Sequence, residues 1–100
     1  MNKVELRFQD KSISRGNDLV YPKSTAIEFI KECQKENIQI LGVDAFIIKE
    51  NFHQPSLDNS IDFTLSPYKN ASKMNTWEIA IGFLNERNNE FFFEIVCDNP

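Results

Sequence analysis

A chain of 100 residues bounds the protein to a single domain, residues 1–100, with a radius of gyration of roughly 13 Å. Fifteen acidic against eleven basic residues give a formal net charge of −4. That balance repels nucleic acid and anionic membrane, so neither is an expected partner, and it favours solubility or a basic protein partner.

Residues 3–9 alternate Val4, Leu6 and Phe8 against Glu5 and Arg7, the pattern of a half-buried strand. Residues 10–23, with Gly16, Asn17, Asp18 and Pro22, read as a turn-rich connection holding a short element around Ile13. A helix follows, opened by Ser24 or Thr25. Thr25 and Glu28 have capping-box spacing, Ala26, Ile27, Ile30 and Cys33 form the apolar stripe, and Asn37 marks the stop.

The run Gln39–Lys49 is the most continuous apolar stretch. Leu41, Val43, Ala45 and Ile47 alternate with Ile40, Phe46 and Ile48, so both faces are apolar and the strand belongs inside a sheet. Asp44 interrupts it. An unpaired charge there would cost several kcal/mol. The carboxylate is therefore either hydrogen-bonded within the fold or presented on an open sheet face. Residues 50–60 read as an exposed loop containing His53 and Pro55, residues 61–65 as a short strand antiparallel to Gln39–Lys49, and 66–75 as loop.

The segment Trp77–Leu84 fits a helix capped by Asn75, with a strand and a hairpin through residues 85–89 as the alternative. Glu90–Cys97 closes the chain as a strand, with Phe91, Phe93, Ile95 and Cys97 on one face. Four of the nine Phe residues lie in the last eighteen positions, which marks this end as buried. The order strand–helix–strand–strand–helix–strand predicts an α+β, ferredoxin-like (split βαβ) domain. In it a four-stranded sheet carries two helices on one face and leaves the other partly open.

No apolar stretch could span a bilayer and residues 1–20 hold no signal-peptide core, so a cytoplasmic chain is expected. Cys33 and Cys97 have no Cys or His at ligand spacing and are expected to be free and buried. A single His, three glycines outside any phosphate loop and no marked carboxylate pair argue against an enzyme and against a cofactor or metal. The candidate partner-binding residues are Asp44, Glu50, Asp58, Asp62 and Trp77. The carboxylates matter only if they converge, and Trp77 reads as a core anchor ahead of an interface hot spot.

The runs Ala26-Ile-Glu-Phe-Ile-Lys31 and Asn37-Ile-Gln-Ile-Leu-Gly-Val-Asp-Ala-Phe46 resemble the small immunity proteins encoded beside bacterial polymorphic and contact-dependent toxins. Ser60-Ile-Asp-Phe63, Trp77-x-x-Ala80-x-x-Phe83-Leu84 and Phe93-Glu-Ile-Val96 look like the second half of the same family. The resemblance spans residues 24–98. It implies a cytoplasmic antidote that occludes the active site of one cognate toxin domain, many such toxins being nucleases with basic clefts. The alternative is a ferredoxin-like small-molecule-binding or regulatory domain acting as a homodimer. The sequence pattern carries no signal for an oligomeric state.

Overall fold

The chain begins as a helix because of its cap. Asn2 Oδ1 accepts the Glu5 backbone N–H at 2.8 Å while Glu5 Oε1 accepts the Asn2 backbone N–H at 2.8 Å, a complete capping box opening α1 (Lys3–Phe8). The expected strand over residues 3–9 is therefore corrected. Val4 and Phe8 lie one helical turn apart and are both buried, whereas Leu6, which a strand would bury with them, is 57% exposed.

The structure is a computed structural model that describes residues 1–15, 18–50, 52–70 and 72–98. After α1 a short 3-10 turn (Gln9–Lys11) leads to β1 (Ile13–Arg15) and β2 (Asp18–Pro22). Next come α2 (Lys23–Lys35), β3 (Ile40–Lys49), β4 (Phe52–Asp62), α3 (Lys73–Asn85) and β5 (Phe92–Cys97). Gly16 and Asn17 of the expected turn lie outside the described residues.

Helix α2 starts at Lys23 with Pro22 as its N-cap and no side-chain cap, so the expected Thr25–Glu28 box is absent. Its end is as the sequence indicates. Asn37 takes φ 59°, Ile38 N–H reaches Cys33 O at 2.8 Å and Asn37 N–H reaches Gln34 O at 3.2 Å, a Schellman stop. Helix α3 forms as expected in place of the hairpin. Its cap is Ser72, whose Oγ accepts the Asn75 N–H at 3.2 Å, three residues before the expected Asn75.

The strands form a four-stranded antiparallel sheet in the order β2-β5-β3-β4, and β1 folds back on the outer edge of β2. From β2 onward the element order is the one expected for a ferredoxin-like domain, but a third helix precedes it and the strand order differs. The α2 crossover joins the parallel strands β2 and β3 with β5 between them, and the α3 crossover joins β4 and β5 with β3 between them. The interior places therefore go to β3 and β5, the two strands apolar on both faces. β4 forms an edge, where Pro55 tolerates a missing donor, while β2 is covered on its outer side by β1 over residues 18–20, with Pro22 beyond that pairing. The expected loop over residues 50–60 is mostly β4, a polar strand that period-2 apolar spacing does not reveal.

All three helices contribute to one core with the inner sheet face. Val4, Phe8, Ala26, Phe29, Ile30 and Cys33 meet Tyr21, Ile40, Val43, Ala45, Phe93, Ile95 and Cys97, with Trp77, Ala80 and Leu84 from α3. Phe8, Tyr21 and Phe29 stack with ring centroids 5.2–6.4 Å apart. The Cα radius of gyration is 12.7 Å, in line with the length.

Two glycines give stability changes of opposite sign. A Cβ on Gly42 would stand 2.9 Å from the Ile61 backbone oxygen, which cannot move without breaking the β3–β4 pairing. Gly42→Ala is therefore expected to cost about 1–3 kcal/mol. A Cβ on Gly82, inside α3, would meet nothing within 4 Å, and Gly82→Ala is expected to gain about 0.5–1 kcal/mol. Urea denaturation of the two variants checks both signs.

The Tyr21 hydroxyl is buried without a hydrogen-bond partner among the described residues. Burial, then the charges of Glu5, Cys97 and Cys33, push its ionisation up to about 12. The unfolded chain ionises this group near pH 10, so above pH 10 the unfolded state binds fewer protons than the native state. Stability from this group is whole below pH 10 and is lost as pH rises towards 12, by about 2–3 kcal/mol. Tyr21→Phe is expected to be neutral or stabilising at pH 7, because it deletes an unsatisfied hydroxyl. It should also flatten this alkaline loss in denaturation curves taken between pH 9 and 12.

Candidate partner-binding surface

The sheet has a second face, opposite the helices. On it β3 presents Asp44, Phe46 and Ile48, and β5 presents Phe92, Glu94 and Val96. Asp44 stands directly across from Glu94, and Phe46 from Phe92. From β4 come His53 and Pro55, paired with Ile48 and Phe46, and Asp62, paired with Gly42. The Phe46 and His53 rings meet edge-on at 4.5 Å. These side chains are half-buried or exposed.

A bulge in β3 opposite Cys97–Val96 alters the simple alternation. Ile40 pairs with Cys97 and Gly42 with Val96, leaving Leu41 as the extra residue. Leu41 thus joins the outer face, contrary to the expected grouping with Val43, and Ile40 turns into the core. Leu41, Asp44, Asp62, Thr64 and Val96 line a shallow hollow of about 300 Å³.

The larger irregularity is in β4. Val43 pairs with Ile61 and Ala45 with Ser56, so residues 57–60 bulge out opposite Asp44. Their shape is fixed by side chains. Ala45 N–H donates to Ser60 Oγ at 2.9 Å, Ser60 Oγ–H donates to the Ser56 carbonyl at 2.8 Å, and Asn59 Nδ2–H donates to Ser56 Oγ at 2.9 Å. The Ser60 hydroxyl thereby accepts from Ala45 where a ladder carbonyl otherwise would. At the tip Leu57 is 84% exposed, with Asp58 exposed beside it.

The expected site residues divide accordingly. Asp44 and Asp62 share the hollow, and Asp58 stands in the bulge opposite Asp44. Glu50, in the β3–β4 turn, lies six residues along from Asp44, about 20 Å away at strand spacing, and does not converge with them. Trp77 belongs to the core. It is 5% exposed, and its indole N–H donates to the Ile38 carbonyl at 2.7 Å, fixing α3 against the chain entering β3. Glu94 and Leu57 were not foreseen. Only the β3–β5 register puts Glu94 beside Asp44, and a single Leu in a polar stretch gives no periodic signal.

Asp62 Oδ1 accepts both the Thr64 hydroxyl at 2.6 Å and its backbone N–H at 2.9 Å. The hydroxyl first, then the N–H, hold this carboxyl below the usual range, so it is fully ionised at neutral pH. Several basic side chains are engaged along the helices. Lys3, Arg7, Lys11 and Lys35 face Glu28, Glu32 and Glu36 along α1 and α2 at 2.9–3.9 Å. Lys23 donates to the Arg87 carbonyl at 2.7 Å beyond the end of α3. Such exposed pairs add little stability each. Their effect is to balance charge along α1 and α2, whereas Asp44, Asp62 and Glu94 lie on the outer sheet face and Asp58 in the bulge.

Among the described residues no group of three or more His, Cys, Asp or Glu side chains is placed to hold a metal ion, and no helix is long and apolar enough to cross a membrane. No protein-family model matches the chain, and no curated protein matches it significantly.

Proposed function

We propose that the protein is an immunity-type inhibitor that binds a cognate bacterial toxin domain through the outer face of its sheet and occludes the toxin's active site. The observation that carries this reading is an apolar knob, Leu57 on a hydrogen-bonded bulge opposite Asp44, at a sheet whose outer face carries Asp44, Asp62 and Glu94. An exposed aliphatic side chain adds apolar area to an interface, and the carboxylates on this face speed association and select the partner. The sign calls for a basic partner surface, such as the substrate cleft of a nuclease. The role needs no cofactor or catalytic group from this chain, and the cytoplasm is where such an antidote would act.

A homodimer formed edge to edge through β4 is disfavoured. Pro55 removes a donor from that edge and the 57–60 bulge interrupts it, both features that block strand addition. The test is to add stoichiometric purified protein to the toxin domain encoded next to its gene. Loss of toxin activity is expected, with association slowing as salt rises. A toxin left fully active at a protein excess would refute the reading.

A further inference from the structure

Cys33, in the last turn of α2, and Cys97, the last residue of β5, are 64 positions apart, yet their Sγ atoms meet at 4.0 Å. Both thiols are free and buried, Cys33 completely and Cys97 to within 8%. Both belong to the core that also holds Tyr21, whose hydroxyl has no hydrogen-bond partner among the described residues. Nothing in the proposed inhibitor role uses this cluster.

We propose that Cys33 and Cys97 form a reactive dithiol that low-molecular-weight disulfides convert to an intramolecular disulfide, clamping β5 to α2. The order of events follows from access. Cys97, at the end of its strand, loses its proton and attacks one sulfur of the small disulfide. A Cys97–S–S–R bond forms, the original S–S bond breaks, and the departing thiolate takes up the proton.

Cys33 then gives up its proton and attacks Cys97 Sγ. The protein S–S bond forms and the second small thiol leaves protonated. Two protein thiols are oxidised, one small disulfide is reduced to two thiols, and two electrons and two protons are accounted for. Cys33 acts second because contact with the Cys97 thiol, and then burial, hold its own ionisation up. Closing 4.0 Å to a bond of about 2.05 Å requires side-chain rotation and a small approach of β5 to α2. Because β5 also carries Glu94 and Val96, the clamp fixes one side of the outer sheet face.

The experiment is incubation of the reduced full chain, in native buffer, with excess oxidised glutathione, followed by intact-mass measurement and peptide mapping. The expected product is the chain lighter by two hydrogens, with one Cys33–Cys97 cross-link and a raised melting temperature. Cys33→Ser is expected to stop at one glutathione adduct on Cys97, and Cys97→Ser to remain unmodified. Since either variant can fail to fold, the unmodified chain is decisive by itself. Persistence of both free thiols, a lasting adduct on Cys97, or cross-links between two chains would each overturn the proposal.

Discussion

Phe93→Ala is expected to lower the stability of the domain by about 3–5 kcal/mol, the range for emptying a buried aromatic site. Phe93 sits at the middle of β5, fully buried, with Tyr21 of β2 across from it on one side and Ala45 of β3 on the other. The small Ala45 leaves the space that the ring fills, and Phe91 lies beside it with ring centroids 6.5 Å apart. No neighbour can relax into the void without giving up sheet pairing on one side or the other. A domain of this size has a total stability of about 5–15 kcal/mol, so the variant should be close to half unfolded at modest urea concentrations. Phe92→Ala is the control. The neighbouring ring lies on the outer face and is only half-buried, so its removal should cost clearly less. Equal losses at the two positions would mean that the inner and outer faces have been assigned wrongly.

The second large effect concerns binding and not folding. Leu57→Asp should weaken association with the toxin domain by about 100-fold or more, the range of an interface anchor. Stability should stay within about 0.5 kcal/mol, because the side chain is exposed and buries little within the chain. Ser60→Ala separates the knob from its support. It removes the acceptor for the Ala45 N–H and the donor to the Ser56 carbonyl, so it should cost about 1–3 kcal/mol of stability and also loosen the bulge that presents Leu57. Titration calorimetry alongside urea denaturation distinguishes the two. A Leu57→Asp chain that binds as tightly as the parent would remove the anchor from the account.

Asp44 divides its own two readings in the same way. Its place on the outer face across from Glu94 predicts that Asp44→Asn leaves folding intact and weakens binding, with a smaller effect at high salt. A loss of stability with binding retained would assign the carboxylate to the fold.

The interior strand Ile40–Lys49, the buried face Phe91-Phe93-Ile95-Cys97 and the helical character of Trp77–Leu84 were all legible, because apolar side chains at period 2 or 3.6 report burial directly. Residues 3–9 misled because Val4 and Phe8 satisfy both periods. The Asn2–Glu5 capping box, visible at the correct spacing, decides for helix. Strand β4 could not be read, since an edge strand with one wet face, a proline and a four-residue bulge carries almost no apolar period. With β4 hidden, the strand order was out of reach, and so were the neighbours of Asp44. The acidic candidates could be named only one by one. Which of them converge depends on the β3–β4 and β3–β5 registers, a long-range property that spacing does not contain.

The most direct test of the proposed role is backbone hydrogen exchange of the protein alone and bound to the toxin domain. Binding through the outer sheet face predicts slowed exchange over residues 41–48, 54–62 and 92–96, with α1, α2 and α3 unchanged. Protection confined to residues 3–11, 23–35 or 73–85, with the sheet unaffected, would contradict it.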